Sequence, residues 1–261
     1  MSKDGQICSV ADLVKVLRES NHLKAEHAHI RYWFRGQACR KWDLRPAVYR
    51  QEFSKKIKSG SGQEEERIRM EQHLLQDFTA ISAGLRTDIS EPTDVYVLAQ
   101  HYGLPTRLLD WSNNCLAALY FAAISRDESD GALFMIDAYS LSERQKAEGF
   151  KGIATLRSTA FKNAIEVYSK WLSYDKLPNS IIPVRPNYID RRMTLQRSCF
   201  TFHVPGKEAL TSEHAILKKF IVPSDAKATI CDELTMLGID AFAIFGDMPH
   251  LTDTLKRAYR V

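Results

Sequence analysis

The order of its strand-like and helix-like segments is what most constrains the fold of this 261-residue chain. Runs rich in aromatic and aliphatic residues predict strands near 30–36, 131–136, 181–184, 199–204, 216–222 and 241–245. Helical spacing and helix-end residues predict helices at 8–20, 63–85, 92–102, 112–125, 139–148, 157–173, 188–197 and 224–237, and a last one from residue 250. These segments do not repeat a βαβ unit. We therefore predict an α+β fold with a mixed sheet flanked by helices.

One domain is the expected organisation. The chain is 44% hydrophobic and 26% charged, which is typical of a globular protein with a substantial core. The most loop-like stretch, residues 54–62, would separate off a first piece that is too small to be stable alone. We therefore predict a single domain over residues 1–261, with its core at 30–204 and with 205–261 either completing the sheet or packing on it.

Composition also excludes several classes of protein. The longest apolar run, Cys115–Ile124, is short of the roughly 20 residues that cross a bilayer. The first residues of the chain do not resemble a secretory signal, so we expect a cytoplasmic protein without a membrane partner. The five cysteines are widely spaced and form no CxxC pair, which predicts free thiols and no metal site. A net charge of +4 is compatible with anionic ligands.

The first segment with functional potential is 33–37, where an arginine stands at the end of a predicted strand. Arg35 in this position can hold an anion or a ribose, and Gly36 lets a ligand approach the backbone closely. Gln37 completes the segment. The alternative interpretation is that Arg35 is a surface residue in an ion pair.

The second segment, residues 101–112, is the richest in polar side chains. We predict a rigid loop here, because a glycine and a proline fix its backbone path. His101 can transfer a proton near neutral pH, and Arg107 and Asp110 can pair and orient each other. Alternatively, His101 is a helix cap and the pair is a structural clip. We favour function, since loops on a rigid scaffold often carry it. Ser112 is predicted to cap the next helix.

The third segment is 191–200, where a short helix is predicted. Arg192 and Gln196 share one face of such a helix, and a basic surface helix is the alternative interpretation. Elsewhere the chain lacks the motifs GxGxxG, GxxxxGK[ST], HExxH and GxSxG. Their absence disfavours the enzyme classes that depend on them.

Together these segments resemble the FRG domain family, which is named for a Phe-Arg-Gly triplet found here at 34–36. The similarity continues in WDLRP at 42–46, QHYGLPTRLLDW at 100–111, LAALYFA at 116–122 and the later Arg192 and Gln196 pattern, and so spans about 30–204. Two departures are Asn114, where a proline is common, and Ser198, where a glycine is expected. The resemblance implies a small bacterial accessory or effector protein, as in toxin or phage-defence systems.

The order of the parts is also similar to that of an ADP-ribosyltransferase fold, which implies NAD as the substrate for transfer or hydrolysis. In that scheme the cofactor-binding residues are Arg35, Gly36, Gln37, Thr106, Tyr120 and Arg192, and the catalytic residues are His101, Arg107, Asp110 and Gln196. Arg35 would hold the phosphates or a ribose. Thr106 and Arg107 would line the nicotinamide ribose, and Tyr120 would stack on the nicotinamide ring. Asp110 would stabilise the oxocarbenium-like ribosyl group, while Gln196 stands where such enzymes often have glutamate.

Two alternatives stay open from the sequence. A nucleotide or nucleic-acid binding module without catalysis would use stacking aromatics and basic side chains, namely Trp33, Trp42, Trp111, Arg35, Arg45, Arg107 and Arg192. A metal-independent nuclease would use His101 as acid or base, Arg107 to stabilise the anion and His203 as the second histidine. The expected partners are a nucleotide-type ligand and a nucleic-acid or protein target. Residues 246–250 are predicted to be the turn that enters the last helix.

Overall fold

One seven-stranded sheet organises the part of the chain that the computed structural model describes, namely residues 5–19, 28–57, 60, 62–85, 89–126, 128–143, 152–211 and 216–259. Its strands are β1 (Tyr32–Gln37), β2 (Leu108–Ser112), β3 (Gly131–Asp137), β4 (Ala154–Thr155), β5 (Ile182–Arg185), β6 (Ser198–Phe202) and β7 (Leu217–Val222). They lie in the order β4-β5-β6-β2-β1-β3-β7. Neighbouring strands are antiparallel, except that β4 and β5 are parallel.

Helices of unequal length surround this sheet. They are α1 (Val10–Glu19), α2 (Ala28–Arg31), α3 (Gln51–Ser54), α4 (Gln63–Ile81), α5 (Pro92–His101), α6 (Cys115–Ala123), α7 (Ala138–Glu143), α8 (Thr159–Ser169), α9 (Arg191–Gln196), α10 (Lys227–Met236), α11 (Ala241–Phe245) and α12 (Met248–Tyr259). The mixed sheet with flanking helices confirms the predicted α+β class. Within the described ranges, every helix is too short or too polar to cross a membrane.

Side chains alternate between the two faces of the sheet, and each face has its own apolar core. On one face, Trp33, Trp111 and Phe134 are buried in a single cluster. The opposite face divides into two clusters. In one, Phe200 packs with residues of α4, α5 and α8; in the other, Leu133 packs with residues of α6 and α10. Two groups of helices therefore stand side by side over this second face.

The central strands β1 and β2 separate almost as soon as they meet. β1 pairs with β3 at six consecutive positions and β2 pairs with β6 at five, but the register joins β1 to β2 only at Phe34 and Ser112. The neighbouring segments, 35–37 and 108–111, therefore form the two edges of a gap in the sheet. Asp110 pairs with Phe200 across β2 and β6, which places it on the face between the two helix groups.

Gly36 is required for packing at this gap. A Cβ atom on Gly36 would lie 1.8 Å from the carbonyl oxygen of Ala118 and 2.6 Å from the backbone nitrogen of Ala122, both in α6. The glycine thus lets α6 lie directly against β1. The close approach that the sequence suggests at this position is made by the protein's own helix, and contact with a ligand stays a prediction.

The predicted strand at 241–245 is wrong. These residues form α11, because the Asp240 side chain accepts a hydrogen bond from the backbone nitrogen of Ala243 and caps a helix, which Gly246 then ends in a left-handed conformation. Hydrophobicity alone does not distinguish a strand from a helix in such a short apolar run. The predicted helix at 139–148 and the loop at 54–62 extend into residues outside the described ranges.

The predicted loop at 101–112 is corrected as well. Residues 108–112 form β2, because Leu108 and Leu109 are buried on opposite faces of the sheet. Ser112 lies at the end of this strand and does not cap α6. Asn114 is the cap: its Oδ1 accepts from the backbone nitrogens of the second and third following residues.

Candidate functional site

A cavity of about 1270 Å³ opens at the gap between β1 and β2. Both strand edges line it, together with the end of α5, one side of α6, one side of α9 and much of segment 41–52. Among the ten predicted site residues, those on its wall are Arg35, Gly36, Gln37, His101, Asp110, Arg192 and Gln196. Thr106, Arg107 and Tyr120 are not on the wall. The fold therefore brings residues from all three sequence segments to one cleft.

The carboxylate of Asp110 is held in this cleft by two side chains. Nε2 of Gln100 donates to both carboxylate oxygens at 3.0 Å. Nη1 of Arg35 donates to the backbone oxygen of Asp110 at 2.7 Å and lies 3.7 Å from Oδ2. The Asp110 side chain is nevertheless 52% exposed. A negative charge is thus oriented by the protein and still open to a ligand.

Gln100 is a residue of the 100–111 motif to which the sequence assigned no role. Its Oε1 accepts a 2.6 Å hydrogen bond from the Thr106 hydroxyl, whose oxygen in turn accepts from the backbone nitrogen of Leu108 at 3.0 Å. Thr106 is only 2% exposed. It orients Gln100, which orients Asp110, so Thr106 does not line a ribose site as predicted. Its contribution to the cleft is indirect.

Arg35 is an incompletely compensated cation at the edge of β1. Burial lowers its pKa, the carboxylate of Asp110 opposes that shift, and the guanidinium of Arg50 adds to it. Nε of Arg35 is buried without a hydrogen-bond partner among the described residues. An anion bound in the cleft would stabilise this guanidinium.

His101 connects α5 to α9. Its Nε2 lies 3.0 Å from Oδ1 of Asp190, the residue that caps α9 by accepting from the backbone nitrogen of Arg192 at 2.7 Å. Burial lowers the pKa of His101, Asp190 opposes this shift and Arg192 strengthens it. The imidazole therefore helps to position α9 at the cleft wall. Proton transfer by His101 stays a prediction.

Arg192 and Gln196 lie together on α9 as predicted, and α11 packs behind them. Nε2 of Gln196 donates to the backbone oxygen of Ile244 at 3.3 Å, and the guanidinium of Arg192 lies 4.7 Å from the ring centre of Phe245. The C-terminal part of the chain thus supports one wall of the cleft. The predicted turn at 246–250 leads into α12, which begins within it.

Gln37 lines the cleft but has a buried acceptor without a partner among the described residues. The residue is 5% exposed, and its Nε2 donates to the backbone oxygen of Asp43 at 3.4 Å. Its Oε1 is buried and has no hydrogen-bond partner in the described part of the chain.

One known protein family matches the part of the chain that contains several of these residues. The FRG domain family matches residues 30–131, a range that contains Arg35, Gln100 and Asp110. This chain carries an FRG domain. No curated protein and no solved structure matches the chain significantly. The FRG domain supplies both edges of the gap in the sheet, whereas α9 and the C-terminal helices lie outside the matched range.

Arg107 of the FRG domain belongs to a separate, closed cluster. Its guanidinium is fully buried and forms a bidentate pair with Glu71, with nitrogen–oxygen distances of 2.9 and 2.7 Å. It also donates to Glu64 at 2.6 Å and to the Tyr49 hydroxyl. Burial alone would lower the pKa of Arg107, but Glu71, Tyr168 and Tyr49 together raise it well above the usual value. The predicted pair with Asp110 is not formed, because α4 supplies closer carboxylates, and the guanidinium has no surface to offer a ligand.

Tyr120 does not line the cleft, although the sequence suggests that it stacks on the nicotinamide ring. It is 5% exposed and lies in the apolar cluster that α6 forms with α10, where burial raises its pKa. The next residue, Phe121, lines the cavity and packs edge-to-face on Phe245, with ring centres 6.0 Å apart. Successive helical residues point roughly 100° apart, so a shift of one position changes the face. The aromatic ring that a ligand can reach from α6 is that of Phe121.

His203 is a structural histidine. It is fully buried, its Nε2 accepts from the Thr201 hydroxyl at 2.9 Å, and its Nδ1 donates to the backbone oxygen of Lys207 at 3.2 Å. The Thr201 oxygen accepts from Nε1 of Trp111 at 3.0 Å. Burial lowers the pKa of His203 to about 3. Because both ring nitrogens are engaged, His203 is not placed to be the second histidine of a nuclease.

The cleft is richer in positive charge than the motifs indicate. Six basic side chains line it: Arg35, Lys41, Arg45, Arg50, Arg126 and Arg192. Three acidic ones line it as well: Asp43, Glu52 and Asp110. Half of the basic residues lie outside the sequence motifs. They belong to loops that come close to the cleft only in the folded chain. In the described ranges, no group of three or more His, Cys, Asp or Glu residues is placed to hold a metal ion.

Proposed function

We propose that this FRG domain binds NAD in its cleft and transfers the ADP-ribosyl group to a macromolecular acceptor, as a toxin or phage-defence effector would. The observation that carries the proposal is the Asp110 carboxylate, which Gln100 fixes in a cleft otherwise rich in basic side chains. A fixed negative charge beside the reacting sugar stabilises the positive charge that develops when a glycosidic bond breaks.

The chemistry assigned to Asp110 is as follows. The bond between the nicotinamide nitrogen and C1′ of the ribose breaks, and its electron pair leaves with nicotinamide, which becomes neutral. Positive charge develops on the ribosyl group and is stabilised by the carboxylate. A nucleophile of the acceptor then forms the new bond at C1′ and loses its proton. With water as the nucleophile, the same sequence of steps hydrolyses NAD.

The remaining wall of the cleft suits the other parts of NAD. Arg35 and Arg192 are half-buried guanidinium groups, which bind pyrophosphate oxygens well. Gln37 also lines this wall, and we assign its amide to a ribose hydroxyl or to the adenine amine. Phe121 offers an aromatic ring to the nicotinamide. The amide of Gln196 is engaged with α11, so stabilisation of the ribosyl charge falls to Asp110.

The test uses NAD labelled in its adenylate half, incubated with the purified protein in the presence and absence of cell extract. We expect label on protein, DNA or RNA, and a loss of at least about tenfold in Asp110→Asn and Arg35→Ala. Asp77→Asn and Arg69→Ala change exposed side chains of α4 that are not on the cleft wall, and serve as matched controls. NAD consumption without label transfer would assign hydrolysis. NAD that survives intact under every condition would contradict the proposal.

A further inference from the structure

The outer edge of the cleft carries a group of exposed residues separate from Asp110 and its partners. We define the cationic rim as Lys41, Trp42, Arg50 and Arg126, all of which are exposed and line the cavity. Three of them follow β1 and the fourth follows α6. The fold therefore assembles the rim from two distant segments.

A buried lysine holds the two segments together. Lys227 of α10 is 1% exposed, and its Nζ donates to the backbone oxygens of Ala38, Ser125 and Arg126 at 2.9, 2.7 and 2.8 Å. All three acceptors belong to residues next to or within the two rim segments. The position of Arg126 relative to the segment after β1 is thus fixed by hydrogen bonds and not left to surface side chains.

Trp42 and Arg126 lie against each other on the rim and form the Trp42–Arg126 platform. The guanidinium of Arg126 lies 5.0 Å from the Trp42 ring centre. The tryptophan is still 46% exposed despite this contact. Nucleobases stack on aromatic rings and on guanidinium planes of this kind. Trp33 and Trp111, by contrast, are buried in the core and cannot receive a base.

The rim keeps a surplus of positive charge. Asp43, which follows Trp42 in the sequence, forms an ion pair with Arg45 at 3.8 Å. Within the described ranges, Lys41 and Arg50 have no ion pair. Positive side chains beside an aromatic platform are the arrangement that binds the backbone and the bases of single strands.

We propose that the cationic rim binds a single strand of nucleic acid. Its phosphates lie against Lys41 and Arg50, and one unpaired base stacks on the Trp42–Arg126 platform. A duplex does not fit this role, since its bases are already stacked on one another. Because the rim and Asp110 share one cavity, the bound strand is the acceptor of the ADP-ribosyl group. That last step rests on the proposed function, whereas binding of the strand does not.

The test measures fluorescence anisotropy of labelled oligo-dT and oligo-U, each of about 12 nucleotides, without NAD. We expect either strand to bind, and Trp42→Ala to weaken binding about tenfold while Trp42→Phe retains most of it. Arg126→Ala is expected to weaken binding through lost stacking, and Arg50→Ala to weaken it and to reduce the slope of log affinity against log salt by about one. Trp171→Ala is the matched control, because Trp171 is 44% exposed at the end of α8 and does not line the cavity.

Several outcomes would overturn the rim proposal. One is that neither strand binds, and another is that Trp42→Ala and Arg126→Ala bind as tightly as the unchanged protein. An abasic strand or an acidic peptide of equal charge that binds as tightly as oligo-dT would also overturn it, since stacking would then contribute nothing. Strand binding that depends on Trp42, together with NAD that is never cleaved, would uphold the rim and refute only the proposed reaction. ADP-ribosyl transfer with no strand binding would do the reverse.

Discussion

Two polar clusters flank the start of β2, and they are built in opposite ways. Around Arg107 the cation is fully buried, and Glu71, Glu64 and Tyr49 all bond to it. Around Asp110 the protein holds the carboxylate from one side, and 52% of the side chain stays exposed. Both residues belong to the same motif, three positions apart. The closed cluster stabilises the fold, whereas the open one is available for chemistry.

The largest effect expected from this comparison is on stability, in Arg107→Met. Removal of the guanidinium leaves Glu71 buried without its partner, which typically costs about 3–5 kcal/mol. Urea unfolding of the variant measures this loss. Arg69→Met, on the exposed side of α4, is the control and is expected to change the free energy of unfolding by less than about 0.5 kcal/mol. A variant as stable as the unchanged protein would show that the closed cluster is not structural.

Acid should destabilise the fold through the buried His203. Its pKa is about 3 in the folded chain and about 6.5 when unfolded, so its stabilising contribution is complete above pH 6.5 and is lost as the pH falls toward 3. Between pH 6.5 and 4.5 we expect the unchanged protein to lose roughly 2 kcal/mol more than His203→Gln. Unfolding curves at each pH measure the difference. Parallel pH profiles for the two proteins would contradict the assignment.

Gln100→Leu tests the open cluster around Asp110. The substitution removes the two hydrogen bonds that orient the Asp110 carboxylate. Under the proposed function, kcat for NAD cleavage should fall about tenfold or more while KM changes less, because Gln100 is a positioning residue. Steady-state kinetics separate the two constants. Gln76→Leu, exposed on α4, is the matched control. A rise in KM at constant kcat would instead place Gln100 among the groups that bind NAD.

The smallest effect distinguishes two neighbours on α6. Tyr120→Phe removes a hydroxyl from a residue buried in the core, and we expect a change of less than about 1 kcal/mol in stability and none in NAD affinity. Under the proposed function, Phe121→Ala should weaken NAD binding, since that ring lines the cleft. Titration calorimetry with both variants compares them. A large loss of affinity in Tyr120→Phe would restore the sequence-based assignment.

Much of the fold could be predicted because it depends on local patterns. The strand that contains Arg35 and the buried strand at 131–137 are fixed by aromatic and aliphatic runs, and the helix before His101 by its proline and apolar spacing. The run at 241–245 failed because five apolar residues fit a strand or a helix equally well. The capping aspartate before this run and the glycine after it favour the helix.

The site was predicted less well because its partners are distant in the chain. Glu71 lies 36 residues before Arg107, and no spacing rule indicates that it outcompetes Asp110. Burial decides which side chains face a ligand, and the sequence motif gives Tyr120 and Phe121 equal weight. The basic residues of loops, such as Arg126, reach the cleft through the sheet topology and through contacts between distant segments.

The most direct test of the central claim measures nicotinamide release from NAD by the unchanged protein and by Asp110→Asn, with thermal unfolding of both. Asparagine keeps the shape of the side chain and removes its charge. Under the proposed function, we predict a fall in rate of about 100-fold or more with an unchanged melting temperature, because the exposed carboxylate is assigned to the chemistry and not to the fold. Nicotinamide release at the same rate in both proteins would contradict the claim that Asp110 is the chemical centre of this FRG domain.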